Sequence, residues 1–288
     1  MYCVLTACTA NDDNSVIPDT SEELLPRISK IASSASVKME MFNPLTGEWT
    51  LRYDIPGEWK ELPVYYWTGN RLDSVLMGDG LWRMVYDANG NPVRADHFIA
   101  EAYKCWFEYD DEGRLARCVK TTLEDDAGTR VTTETNTYTY ANGKVQKKET
   151  THDYSQVTPT PDSYISETCF YTWEGDNVIA TTRYSEYING KRDTTYVTYE
   201  YTTLPNPFYG FIPLQAEFGY FLMSSNGVDG FSKNLISSDS QHKPEVAQYQ
   251  YEYTTEGDRV VSFVKSGVAG NGMTRLTTTF DCKLEYAE

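Results

Sequence analysis

From about residue 37 onward the chain alternates apolar and polar positions at period two, as in Thr137-Tyr-Thr-Tyr140 and Tyr249-Gln-Tyr-Glu-Tyr253. These runs are rich in Thr, Tyr and Val and are cut at short intervals by turns that carry Gly. Period two places successive side chains on opposite faces, so each run predicts a half-buried strand. Strand and turn signals together give about 16 strands. Helical periodicity is nearly absent; the one exception is a short helix expected within Leu214–Met223.

The turns repeat a single idea. Trp67-Thr-Gly-Asn-Arg-Leu72, Tyr140-Ala-Asn-Gly-Lys-Val145 and Trp173-Glu-Gly-Asp-Asn-Val178 place an aromatic residue, a two-residue loop and an aliphatic residue at one spacing. Asn142-Gly143 and Asn189-Gly190 suit type I′ turns, and Gly69-Asn70 and Gly175-Asp176 suit type II′, because these loops need positive φ. Trp67 then faces Leu72, Tyr140 faces Val145 and Trp173 faces Val178, a favourable cross-strand match. Tyr86 to Gly90, Tyr109 to Gly113 and Tyr253 to Gly257 form a longer version, read as a type I turn closed by Gly in the left-handed region. There Asp110 faces Arg114 and Tyr109 faces Leu115.

The expected fold is therefore mainly β: a large antiparallel up-and-down meander forming a strongly curved or barrel-like sheet. One domain covers 37–288, with one long insertion at about 203–244. No Pro/Ser linker divides the hairpins, and a 40% apolar, 14% aromatic composition supports a packed core. Asp and Glu number 42 against 25 Lys and Arg, a net charge of −17. That balance excludes a nucleic-acid footprint and docking on anionic lipid through protein charge.

Residues 1–8 look like the remnant of a lipoprotein signal. Leu5-Thr6-Ala7-Cys8 fits a lipobox, with Cys8 the lipid attachment site, although the basic and apolar regions of a full signal are missing. Residues 9–36 are expected to be a flexible tether. Its acidic start, Asn11-Asp-Asp-Asn14, resembles the surface-export signal of Bacteroidetes lipoproteins. No stretch is long and apolar enough for a membrane helix. An integral outer-membrane barrel is rejected, because Thr132–Thr137 and Lys147–His152 are polar on both faces and offer lipid no apolar band.

Phe107-Glu-Tyr-Asp-Asp-Glu-Gly-Arg-Leu115 and Tyr138-Thr-Tyr-Ala-Asn-Gly-Lys-Val145 resemble YD-type repeats. With the lipobox, Leu204-Pro-Asn-Pro-Phe-Tyr209 and Ser232-Lys-Asn234, the chain resembles a Bacteroidetes lipoprotein family of unknown function with a porin-like fold. The resemblance implies a curved or barrel-like sheet on a lipid tether at the outer membrane, exposed at the cell surface. It implies no activity.

Chemistry leaves few marks. Six cysteines show no C-x-x-C spacing, and His97, His152 and His242 are scattered, so no metal site is expected. Turn geometry places Cys105 opposite Val119 and Cys118 opposite Trp106, on opposite faces of the sheet; a bridge between Cys169 and Cys282 stays open. No G-x-S-x-G elbow or phosphate loop appears, and no cofactor is expected. The candidate ligand or plug aromatics are Phe208, Tyr209, Phe211, Phe218 and Tyr220, in the insertion; a plug at one end of the sheet is the favoured role. The expected function is a non-catalytic, lipid-anchored surface module that binds or scaffolds an extracellular glycan or protein. A secreted glycan hydrolase acting through unlocalised carboxylates is the alternative.

Overall fold

The computed structural model describes residues 27–61, 63–68, 71–77, 80–98, 104–123, 131–210, 228–242, 246–271 and 273–287. The strands are β1 (Ile28–Asn43), β2 (Glu48–Ile55), β3 (Val64–Thr68), β4 (Arg71–Met77), β5 (Gly80–Tyr86), β6 (Pro92–His97), β7 (Lys104–Tyr109), β8 (Leu115–Leu123) and β9 (Val131–Ala141). They continue as β10 (Lys144–Asp153), β11 (Tyr164–Glu174), β12 (Asn177–Tyr187), β13 (Arg192–Pro205), β14 (Asn234–His242), β15 (Val246–Glu256), β16 (Arg259–Asn271) and β17 (Thr274–Tyr286). One helical turn, α1 (Val228–Phe231), precedes β14.

All strands pair antiparallel in one 17-stranded sheet. β1 pairs β17 on one side; on the other it pairs β2 along its C-terminal half and β3 near its start. Between them Lys60 bridges Ser33. β2 and β3 thus share one stave, and the sheet closes as a 16-strand barrel. The stave breaks at Pro56-Gly57, where the chain runs so close to β1 that a Cβ on Gly57 would collide with Ser34 and Ala35.

One rim carries the start of β1, the end of β17 and the aromatic turns described above. There Trp67 pairs Leu72, Tyr109 pairs Leu115, Tyr140 pairs Val145 and Trp173 pairs Val178, as the turn chemistry requires. Asn142 and Gly143 both have positive φ, 52° and 72°, the type I′ signature. The aliphatic partners then do a second job. Tyr86 donates its hydroxyl to the Leu72 carbonyl, Tyr109 to Pro92, Tyr140 to Leu115, Tyr201 to Val178, Tyr253 to Ile236 and Tyr286 to Val260. The Trp67 and Trp173 indoles donate to Ile28 and Val145. Each bond ties one strand to its predecessor in the sheet. Trp67 on Ile28 closes the circle.

A bulge explains why those carbonyls are available. Directly after each accepting residue one position drops out of the ladder: Ser29, Asp73, Val93, Ala116, Gln146, Ile179, Ser237 and Val261 are all skipped. A bulge disrupts the local ladder, and a buried carbonyl left without a donor is costly. The aromatic donor of the adjoining stave meets that need, each bond contributing about 1 kcal/mol. Arg71, Arg114, Lys144 and Arg259, each preceding an aliphatic acceptor, lie over the rings of Tyr86, Tyr140, Trp173 and Tyr286 at 4.6–5.5 Å.

Behind this ring the interior is filled. Val75, Trp82, Phe107, Tyr138, Tyr171, Tyr251, Phe263 and Leu284 are buried in one cluster with the ring aliphatics. The described ends of the insertion fold into the same rim. Phe231 of α1 packs edge-on against Tyr171 and Tyr138, and Ser232 accepts the Val178 amide. Polar interior positions follow along β9 to β13, with Thr150 donating to Asn136 and Ser185 to Glu167. The outer face is crossed by ion pairs, including Arg94–Asp96, Arg117–Glu108, Lys147–Glu149 and Lys30–Glu285, and also carries the exposed aromatics Trp106, Phe170, Tyr184 and Tyr196.

Five expectations change. The turn after Tyr253 is a two-residue loop at Gly257-Asp258, closed by the Glu256–Arg259 pair, rather than the longer kind read from the sequence. β1 begins at Ile28, inside the stretch read as tether over 9–36, because Ile28 and Ile31 reach the core while the small residues Ala32 to Ser36 that follow hide the alternation. β14 lies inside the insertion read as 203–244, so the connection between strands is 206–233. The turn at Asn189-Gly190 is the longer, bulged kind: only Gly190 has positive φ, and Tyr187 N–H donates to the Lys191 carbonyl. Cys105 and Cys118 share the inner face, since the bulge at Ala116 pairs Cys105 with Lys120 and Phe107 with Cys118. The helix expected within Leu214–Met223 lies outside the described residues.

Candidate binding face at the open end

The staves start level at the aromatic rim and end unevenly at the other. β3 to β7 run 5–7 residues, whereas β15, β16, β17 and β1 run 11, 13, 13 and 16. Among the described residues the tall staves therefore run on past β3 to β7 at this end.

Register fixes which residues line it. Leu284 and Ile31 are paired and buried, so positions two apart along β17 and β1 look inward as well. One row across the wall is Tyr53, Met39, Leu276, Ala269 and Ala247. The next is Ile55, Val37, Thr278, Gly267 and Tyr249, and a deeper one is Ala35, Phe280, Lys265 and Tyr251. Small and large side chains interleave. Phe280 is 40% exposed, Tyr53 41% and Ile55 55%. Every residue of β2 is exposed, Trp49 and Leu51 included, and among the described residues its edge away from β1 carries no partner strand.

The deep edge of this face holds a charge pair. Asp239 of β14 is 3% exposed and accepts the Tyr251 hydroxyl on Oδ2 at 2.6 Å, with Lys265 Nζ 3.6 Å from the same oxygen. Lys265 lies over the rings of Tyr249 and Tyr251 at 4.4 and 5.0 Å. Burial, and then the Asp239 charge, push the Tyr249 hydroxyl up. Asp239 Oδ1 is buried and accepts no hydrogen bond. Tyr249 lies flat across Gly267, where a Cβ would strike its ring. This gives the wall a flat apolar surface ending in a paired cation and carboxylate.

The residues singled out from sequence fall elsewhere. Phe208 is buried at the aromatic rim, its amide held by Asn206 Oδ1, and Tyr209 beside it is half-buried, with its hydroxyl pushed up by burial. Phe211, Phe218, Tyr220 and Cys8 lie outside the described residues. Cys169 and Cys282 are buried on β11 and β17, which are not neighbours, and no disulfide joins the described cysteines. The histidines stand apart: His97 is packed against Trp82, His152 stacks with Tyr154 and Tyr164, and His242 lies beside Tyr196. Sequence reading missed the inner wall because its residues come from strands far apart in the chain; the apolar alternation Val37-x-Met39-x-Met41 was the one local signal.

The fold is similar to two solved structures. A porin-like protein from Bacteroides uniformis ATCC 8492 is 13% identical, with a TM-score of 0.44 over 95% of this chain and 100% of that one. A porin-like protein from Bacteroides vulgatus ATCC 8482 is 11% identical, with a TM-score of 0.31 over 91% of this chain and 99% of that one. No protein-family model and no curated protein matches the sequence.

Proposed function

We propose that the chain is a non-catalytic binding module that works outside the cell, held to the outer membrane by a lipid on Cys8, and that it receives its partner on the apolar inner wall at the open end. The observation that carries this reading is that Tyr53, Ile55 and Phe280 stay exposed on three successive inward-facing rows of a closed barrel. A contiguous exposed apolar surface rimmed by polar groups marks an interaction site. Charges such as Arg94, Arg117 and Lys147 on the outer face, set in ion pairs, suit a wall bathed in water rather than one facing lipid. Between a glycan and a protein partner, the wall favours an apolar protein segment. It offers methyl groups and ring faces, while sugar hydroxyls need several hydrogen-bonding groups.

Parallel peptide and glycan arrays test the partner. Binding to apolar peptides that Leu276→Asp/Phe280→Asp abolishes, with unchanged thermal stability, is the expected result; binding confined to glycans, or unaffected by the double change, contradicts it. Anchoring is tested separately. With an export signal supplied upstream, Cys8→Ala should abolish lipid labelling and release the protein from the membrane fraction. Unchanged labelling would remove Cys8 from the account.

A further inference from the structure

Cys105 and Cys118 are each 0% exposed, on the adjacent strands β7 and β8, with their Sγ atoms 3.0 Å apart. The bulge at Ala116 creates this meeting. Without it Cys118 would oppose Trp106 and point outward; with it Cys118 opposes Phe107 and stands diagonally across from Cys105 inside the barrel. The twist of adjacent strands brings one diagonal pair together. Among the described cysteines, Cys169 and Cys282 lie on β11 and β17, neither of which pairs with β7 or β8.

We propose that Cys105 and Cys118 form a disulfide, making β7–β8 a covalently stapled hairpin. The thiolate of one cysteine attacks a disulfide oxidant, such as oxidised glutathione, and gives a mixed disulfide with loss of one thiolate. The second cysteine thiolate then attacks the protein sulfur and expels the other half of the oxidant. One S–S bond forms in the protein, two thiol protons are released, and the oxidant is reduced to two thiols. The two cysteines are near in sequence and belong to one hairpin, so the bond can close while the hairpin forms. Afterwards the packed interior shields it from reductants. The inference stands apart from the proposed function, because it rests on the register of β7 and β8 alone.

The test is peptide mapping of the full chain refolded with oxidised glutathione, alkylated under denaturing conditions and digested without reduction. Trypsin cleaves after Lys104, Arg114, Arg117 and Lys120, which frees residues 105–114 and 118–120 as separate peptides. The expected product is these two joined, at a mass two hydrogens below their sum, separating on reduction, with Cys169 and Cys282 recovered alkylated. Recovery of 105–114 and 118–120 both alkylated, after refolding in excess oxidant, overturns the proposal. As a second reading, the thermal midpoint of wild type refolded with oxidised glutathione should exceed that of wild type refolded in reductant, while that of Cys105→Ser/Cys118→Ser should be the same after either treatment. An equal response in both proteins also overturns it.

Discussion

At the aromatic rim Tyr86, Tyr140 and Tyr286 each meet a carbonyl on the neighbouring stave, whereas at the opposite rim Tyr53 and Phe280 face water from staves of the same barrel. Stave length separates the two. Where staves end level, each bulged carbonyl lies beside the next aromatic donor, and the ring completes itself. Where β1, β16 and β17 outrun β3 to β7, Met41, Ile55 and Phe280 stay exposed. The repeated hairpin thus builds stability at one end and leaves apolar side chains exposed at the other.

The largest break in this comparison should come from high pH. Burial raises the Tyr86 and Tyr286 hydroxyls from an ordinary value of 10.0 up to about 12, and Tyr109 and Tyr140 are also pushed up. Because the folded values lie above the unfolded one, this stabilisation is complete below pH 10 and is lost as pH rises through about 12. Tyrosinate absorbance should therefore appear together with loss of the fold. Ionisation of every tyrosine near pH 10 with the fold intact would contradict a buried ring.

Next in size is a pair of truncations. Phe107→Ala, deep behind the ring, should cost about 3–5 kcal/mol in denaturant unfolding. Phe280→Ala should change stability by about 0.5 kcal/mol or less, as an exposed side chain does. Equal costs would mean that the open end is packed like the closed one.

Gly113→Val should cost at least about 1–2 kcal/mol, because φ at Gly113 is 76° and a β-branched residue resists the left-handed region. An unchanged midpoint would show that this turn does not govern the register. The smallest effects belong to the ring hydroxyls. Tyr140→Phe and Tyr286→Phe should each cost about 1 kcal/mol and add when combined, since they serve separate staves. A double variant as stable as wild type would reduce the ring to packing alone.

The hairpins were legible in the sequence because their chemistry is local: Asn142-Gly143 can hardly do anything but turn, and Tyr140 opposite Val145 follows from counting. The ring was not, because Trp67 reaches back to Ile28 and Tyr140 to Leu115 across pairings that no local pattern states. The bulges were equally hidden. Nothing about Ala116 or Gln146 marks them as skipped, yet one skip moves Cys118 from the outer face to the inner and reverses the reading of the cysteine pair. β14 was missed for its polarity, since Ser-Ser-Asp-Ser reads as a loop until Asp239 is seen to accept from Tyr251 inside the barrel. The candidate face needed both kinds of hidden information: closure through β1 and the unequal heights of its neighbours.

Hydroxyl-radical footprinting of the folded chain measures the contrast between the two ends residue by residue. Met41, Ile55 and Phe280 should be oxidised at rates near those of the denatured chain, while Trp82, Phe107 and Tyr138 should stay protected, in keeping with their exposures of 36%, 55% and 40% against 2%, 3% and 7%. Protection of Phe280 and Ile55 to the level of Trp82 would close the open end and contradict the account.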